Sequence, residues 1–77
     1  MKKFETVGQR AAYAIRGRCV QNRTSLEHEL RNADISSRLF WSWEKQGFSP
    51  TAYSLRKLAV AGYDVMWILM GGERDGE

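Results

Sequence analysis

One cysteine, one histidine and one proline stand among 77 residues, and each shortage narrows what the chain can do. Cys19 alone cannot close an internal disulfide. With only His28 beside it, the chain lacks the set of Cys and His ligands that a structural zinc site needs. Cys19 therefore reads as a small buried hydrophobe and His28 as an exposed helix residue. No stretch approaches the ~18 apolar residues of a membrane span. Met1-Lys2-Lys3-Phe4-Glu5 has no apolar run behind it, so no secretory signal is expected. These readings together predict a protein of the reducing cytoplasm. A glycine-rich phosphate loop, the H-E-x-x-H pattern and the nucleophile elbow are all missing, so neither an enzyme nor a cofactor is expected.

What the chain does have is ordinary globular composition and positive charge. Hydrophobic residues make up 43% and charged residues 27%, which argues against disorder. The length suits one domain, predicted over residues 1–72, with a polar tail over 73–77 expected to be mobile. Net charge is +3, unevenly placed: residues 1–63 hold eleven of the twelve Lys and Arg and five acids, whereas 64–77 hold Arg74 against four acids. A basic body points to an anionic partner, with nucleic acid the first candidate and a merely solvated basic surface the alternative.

Apolar residues recur at helical rather than strand spacing, and an all-α fold of five helices is predicted. Thr6 and Gln9 have capping-box spacing before a first helix. Its inward face carries Val7, Ala11, Ala14, Ile15 and Arg18, while Gln9, Arg10 and Arg16 point elsewhere. Gly17 weakens it and Asn22 stops it. Thr24 and Glu27 repeat the box before a short second helix that carries Leu26 and Leu30 and ends near Ala33. Asp34 then takes a tight, left-handed turn. Ser36 caps a third helix that ends near Gly47. Phe40 and Trp43 face its core side, and Arg38, Trp41, Ser42 and Lys45, spaced i, i+3, i+4, i+7, share an outward face. Ser49-Pro50 reads as N-cap and first residue of a fourth helix, with Leu55, Leu58 and Ala59 buried and Gly62 closing it. Asp64 caps a fifth, apolar throughout from Val65 to Met70. So many apolar residues in a row exceed what one small core can cover, which predicts a partner chain for the surplus.

The second helix, its turn and the third helix form a helix-turn-helix pattern, in which one helix braces the other so that its outward side chains enter a major groove. Ala33-Asp34-Ile35-Ser36 looks like an apolar-Gly-Val-Ser turn, and Phe40 with Trp43-Glu44 like an I-S-x-W-E segment. Ser49-Pro50 and Leu55-x-x-Leu58-Ala59 look like a P-S-x-x-x-L-x-x-L-A helix. Gly62-Tyr63-Asp64-Val65, then Trp67-Ile68-Leu69-Met70-Gly71, look like a G-V-D-V-x-Y-L-L-T-G ending. In this order and spacing, residues Thr24 to Gly72 resemble the lambda-repressor-like, or XRE-type, helix-turn-helix family. The chain departs from the pattern at Asp34, where the family has the turn glycine, and at Leu30, where a small residue is usual. It departs again at Leu26, where a glutamine usually touches phosphate.

The resemblance implies a five-helix lambda-repressor-like bundle that binds double-stranded DNA sequence-specifically. It implies a small phage- or mobile-element-type transcriptional regulator, a repressor acting as a dimer on an operator. Arg38 would read a guanine edge. Ser37, with the N-cap Ser36, would touch a base or phosphate, and Ser42 would allow close approach. Lys45 would hold phosphate, and Trp41 would pack on a thymine methyl or a sugar. Arg23 and Ser25 would meet phosphate at the start of the second helix. Apart from the resemblance, the apolar fifth helix is the candidate dimer interface, through Val65, Met66, Trp67 and Met70. Of these, Met66, Trp67 and Met70 are expected to divide between that contact and the core. Two other readings stand beside this one. The first is a protein-interaction module, such as an antitoxin or accessory subunit, that uses Gly71-Gly72 and the acidic tail. The second is an architectural or excision-type DNA binder that bends DNA with little sequence preference.

Overall fold

Each helix in the computed structural model, which describes residues 6–71, starts at a side chain that accepts a backbone N–H three residues on. The caps are Thr6, Ser25, Ser36, Thr51 and Asp64, in front of α1 (Val7–Asn22), α2 (Leu26–Ala33), α3 (Ser37–Gln46), α4 (Ala52–Val60) and α5 (Val65–Met70). Such short polar side chains compete with the backbone inside a helix but satisfy its orphan N–H groups at the start. The described residues contain helices and no strand. The predicted tail, 73–77, lies outside them.

Local signals place most of the boundaries. The Thr6 capping box forms in both directions: the Gln9 N–H donates to Thr6 Oγ1 at 3.0 Å and the Thr6 N–H to Gln9 Oε1 at 3.3 Å. Asp34 is left-handed, with φ 60°. Gly62, with φ 95°, ends α4 in a Schellman arrangement. Its N–H donates to Ala59 O and the Tyr63 N–H to Leu58 O, both at 3.0 Å. Two predicted starts are displaced. Ser25, not Thr24, caps α2; the Thr24 hydroxyl donates instead to the carboxylate of Glu29. Thr51, not Ser49, caps α4, and Pro50 lies buried in the connection before it.

The core runs through Ala11, Ala12 and Ile15 of α1, Leu30 and Ala33 of α2, and Ile35 of the turn. It continues through Phe40 and Trp43 of α3, then Leu58, Tyr63 and Ile68. Val7, Ala14 and Arg18 are only half-buried, as is Cys19, and Ala12 joins the buried face in their place. The later start of α4 comes with an inward stripe of Ser54, Leu55, Leu58 and Ala61, which leaves Ala59 exposed.

Polar ties from α1 fasten the later helices. Arg10 donates from Nε to Ile68 O at 2.7 Å and from Nη2 to Leu69 O at 3.0 Å. Arg18 donates to Ala61 O at 2.6 Å and to Gly62 O at 2.9 Å, with its guanidinium 3.7 Å from the Tyr63 ring centroid. Both arginines thus meet carbonyls at a helix C-terminus, where backbone acceptors are unpaired and the helix dipole is negative. Between α1 and α2, Glu29 is only 3% exposed. The hydrogen bond from the Thr24 hydroxyl holds its carboxyl below the ordinary range, with the Asn22 amide adding to the effect. Burial pushes the Tyr63 phenol up. Among the described residues no helix is long and apolar enough to cross a membrane, and no group of three or more His, Cys, Asp or Glu could hold a metal ion.

Gly8 lets α1 lie directly on the end of α3: a Cβ there would collide with the Phe48 carbonyl and sit 3.2 Å from the Trp43 Cα. Gly17, on the same helix, is exposed and faces open space. Opposite outcomes follow for one chemical change. Gly8→Ala should lose about 1–3 kcal/mol by overpacking, and Gly17→Ala should gain about 0.4–1 kcal/mol by reducing the freedom of the unfolded chain. Urea unfolding measures both; a Gly8→Ala protein as stable as the wild type would contradict the close approach.

Candidate nucleic-acid interface

The unit formed by α2, a three-residue turn and α3 is held from several sides. The Asp34 N–H donates to Arg31 O at 3.1 Å and the Ile35 N–H to Leu30 O at 2.9 Å, closing α2. Ile35 is buried in the middle of the turn. From α4, Lys57 Nζ donates to Asp34 O at 3.0 Å and pairs with its carboxylate at 3.1 Å. A non-glycine residue in the left-handed region costs about 1–2 kcal/mol, and the Lys57 clamp offsets part of that at Asp34.

Phe40 and Trp43 fix the rotation of α3, because both are essentially fully buried. Three-residue spacing puts them on one side of the helix. The residues between and around them must then face outward: Ser37, Arg38, Trp41 and Lys45 are exposed and Ser42 is half-buried. Arg38, Trp41, Ser42 and Lys45 line a shallow hollow of about 420 Å³, together with Gln46. Gln46 escaped the spacing argument, although it follows Ser42 by four residues and so continues the same ridge. Leu39, 39% exposed, is a second unanticipated outward residue.

Trp41 forms the apolar wall of this hollow. The residue is 43% exposed, and its ring meets the Phe40 ring edge-on at 5.8 Å. Lys45 Nζ lies 5.4 Å from its centroid and the Arg16 guanidinium 5.9 Å. Arg16 in turn grips Glu44 with two donors, the Nη2–Oε1 distance being 2.9 Å. That hydrogen-bonded pairing holds the Glu44 carboxyl below its ordinary range and raises the Arg16 guanidinium. The Ser42 hydroxyl donates to Leu39 O at 2.7 Å, so its proton is committed to its own helix.

The other predicted contacts stand apart from the hollow. Ser36 is exposed at the start of α3, where its Oγ accepts the Leu39 N–H at 3.2 Å. Ser25 does the same for the His28 N–H at 3.1 Å, and exposed Arg23 precedes it in a left-handed conformation with φ 56°. Charge is also divided. Arg10, Arg16, Arg18 and Lys57 are tied to carbonyls or carboxylates of the fold. Among the described residues, no ion pair engages Arg23, Arg31, Arg38, Lys45 or Arg56.

The predicted dimer residues separate into two pairs. Val65 and Trp67 pack on the protein's own core, Trp67 with its ring 6.0 Å from that of Tyr13 on α1. Met66 and Met70 are exposed, at 57% and 47%, and Leu69 joins them at 44%. No protein-family model, curated protein or solved structure matches the chain.

The Arg16–Glu44 pair generates a pH-dependent prediction. Its stabilisation is present above the ordinary carboxyl value of 4.5 and is lost as pH falls through the lowered value in the folded protein. With the side chains 47% and 22% exposed, Arg16→Met should cost roughly 0.5–1 kcal/mol at neutral pH. The difference should vanish in acid, as read from urea unfolding at a series of pH values. A difference independent of pH would mean that Arg16 acts through packing alone.

Proposed function

We propose that the chain is a small sequence-specific DNA-binding regulator of lambda-repressor-like type. In this reading α2, the turn and α3 act as a helix-turn-helix, and α3 lies in the major groove. The observation that carries the proposal is the outward face of α3. Arg38, Trp41, Ser42 and Lys45 surround one hollow on a helix whose rotation two buried aromatics fix. Ten residues give a helix of about 15 Å, which suits a groove about 12 Å wide.

Roles follow from chemistry and place. Arg38, the second residue of α3, has the planar donor fork that matches guanine O6 and N7. Lys45, near the end, is a point charge suited to phosphate. Ser36 and Ser37 stand where the α3 N-terminus approaches the duplex, and Ser42 leaves room for a base edge. Arg23 and Ser25, beside the α2 N-terminus, suit a backbone phosphate, which the positive end of the helix dipole favours. The outer face of α5, with Met66, Leu69 and Met70, suits a second copy of the chain. A dimer would place two reading helices on half-sites about one turn of DNA apart. As a phage- or mobile-element-type repressor, the protein would act through its own concentration at an operator.

The test is titration against DNA from just upstream of the protein's own gene and against scrambled duplex, at two salt concentrations. Arg38→Ala should cost about 1–3 kcal/mol on the specific site and relax one base position. Lys45→Ala should weaken both duplexes alike and lower the salt slope by about one. Equal losses on both duplexes for Arg38→Ala would remove its reading role. Weak, salt-sensitive binding equal for both duplexes in the wild type would favour the protein-interaction reading. Met66→Asp should shift sedimentation from dimer to monomer; an unchanged monomer in wild type and variant would sink the dimer.

A further inference from the structure

We propose that the hollow between α4 and the turn after α2 binds a small aromatic carboxylate, a single ring on a short acid arm. The inference adds a ligand to a reading in which the protein's own concentration is the only control. Binding at this hollow does not depend on the DNA-binding reading.

The outer face of a surface helix is ordinarily polar, and α4 breaks that pattern. Tyr53, Arg56, Lys57 and Val60 are spaced i, i+3, i+4, i+7 and so share one face. Tyr53 is 67% exposed and Val60 82%, the most exposed large hydrophobic residue among those described. A β-branched side chain gains nothing from helix propensity at that position, and it packs on little of its own chain. Facing this stripe are Ala33, the last residue of α2, and its cap Asp34. The two sides enclose a hollow of about 280 Å³, which shares no residue with the hollow on α3.

Charge decides what this hollow accepts. Two of its three charged side chains, Lys57 and Asp34, neutralise each other at 3.1 Å. Lys57 Nζ also lies 4.5 Å from the Tyr53 ring centroid, which steadies the ring. The third, Arg56, is exposed and makes no ion pair among the described residues. One guanidinium offers one planar fork of donors, which a carboxylate meets with two oxygens. A phosphate monoester would bring nearly twice the charge to a single uncompensated cation, beside an Asp34 carboxylate that is 85% exposed. A monovalent acid is therefore favoured. Its body is set by what flanks Arg56: Tyr53 one turn before it, Val60 one turn after it, and the alanines Ala33 and Ala61 more deeply placed. An apolar cavity of about 150 Å³ holds one benzene ring. The larger volume here takes a ring with a short arm, and it falls below the ~300–1,000 Å³ of a drug-sized site.

The experiment titrates phenylacetate into the full chain and follows backbone amide shifts by heteronuclear NMR. Saturable shifts should centre on Asp34, Arg56 and Val60, with a dissociation constant in the low millimolar range that suits so few ligand atoms. Phenylacetamide lacks the charge and acetate lacks the ring, and each should bind about fivefold more weakly. Arg56→Gln should weaken phenylacetate by about fivefold. Asp34→Asn should tighten it by about threefold, because a like charge is removed and Lys57 is freed from its carboxylate. Asparagine tolerates the left-handed turn, and far-UV circular dichroism checks that both variants are folded. Opposite changes at these two exposed positions are not what a loss of packing would produce. No saturation by phenylacetate, or shifts centred elsewhere, overturns the site. Phenylacetamide binding as well as phenylacetate, or Arg56→Gln binding like the wild type, overturns the carboxylate assignment. Acetate binding as well as phenylacetate overturns the aromatic one. Each of these results leaves the DNA-binding reading standing, since titration on DNA decides that separately.

Discussion

Three arginines on one helix connect it to three others, and the rest of the structure depends on that arrangement. Arg10 ends α5, Arg18 ends α4, and Arg16 holds Glu44 on α3. A domain of this size buries only about 60% of the surface its unfolded chain exposes. Among the described residues, its largest fully buried side chains are Trp43, Phe40, Ile15, Leu58 and Ile68. Charge-assisted hydrogen bonds to helix-terminal carbonyls are stronger than neutral ones, and they act where two short helices would otherwise end on unpaired acceptors. Gly8 completes the arrangement by letting α1 touch the backbone at the end of α3.

The same arrangement divides the basic charge. Arginines that the charge pattern alone would assign to an anionic partner are bound inside the fold. The cations left without ion pairs among the described residues include Arg38 and Lys45 on α3. Arg16 does two jobs at once. It ties α1 to α3 through Glu44, and it lies beside the Trp41 ring at the edge of the hollow. Tension between stability and exposure is thus resolved within one helix: α3 buries Phe40 and Trp43 completely and leaves Trp41 nearly half open. A rigid backing for a reading surface is what a proposed DNA contact needs, because directional hydrogen bonds tolerate little drift.

Asp34 shows how a left-handed turn without glycine is accommodated. A glycine would enter the left-handed turn at little cost. Here the aspartate adopts φ 60° and gains Lys57 as a partner for both its carbonyl and its carboxylate. The turn is therefore tied to α4 by chemistry that glycine could supply only in part, through its carbonyl.

Several features were legible in the sequence because they are decided within four residues. The helix count, the caps at Thr6, Ser36 and Asp64, the Gly62 stop and the inward pair Phe40 and Trp43 all belong to this group. So does the outward face of Arg38, Trp41, Ser42 and Lys45, since helical spacing and capping are local interactions. Where two neighbouring residues could do the same local job, the sequence was ambiguous. Ser25 replaced Thr24 as a cap because buried Glu29 needed the Thr24 hydroxyl, and Thr51 replaced Ser49. Only the tertiary structure decided the fate of the arginines, the exposure of Ala59, and the inward packing of Val65 and Trp67 beside outward Met66 and Met70. The partners of Arg10, Arg16 and Arg18 lie 28 to 59 residues away along the chain. A long flexible side chain has no periodic signal to announce which distant carbonyl or carboxylate it will reach; folding has to bring that acceptor beside it.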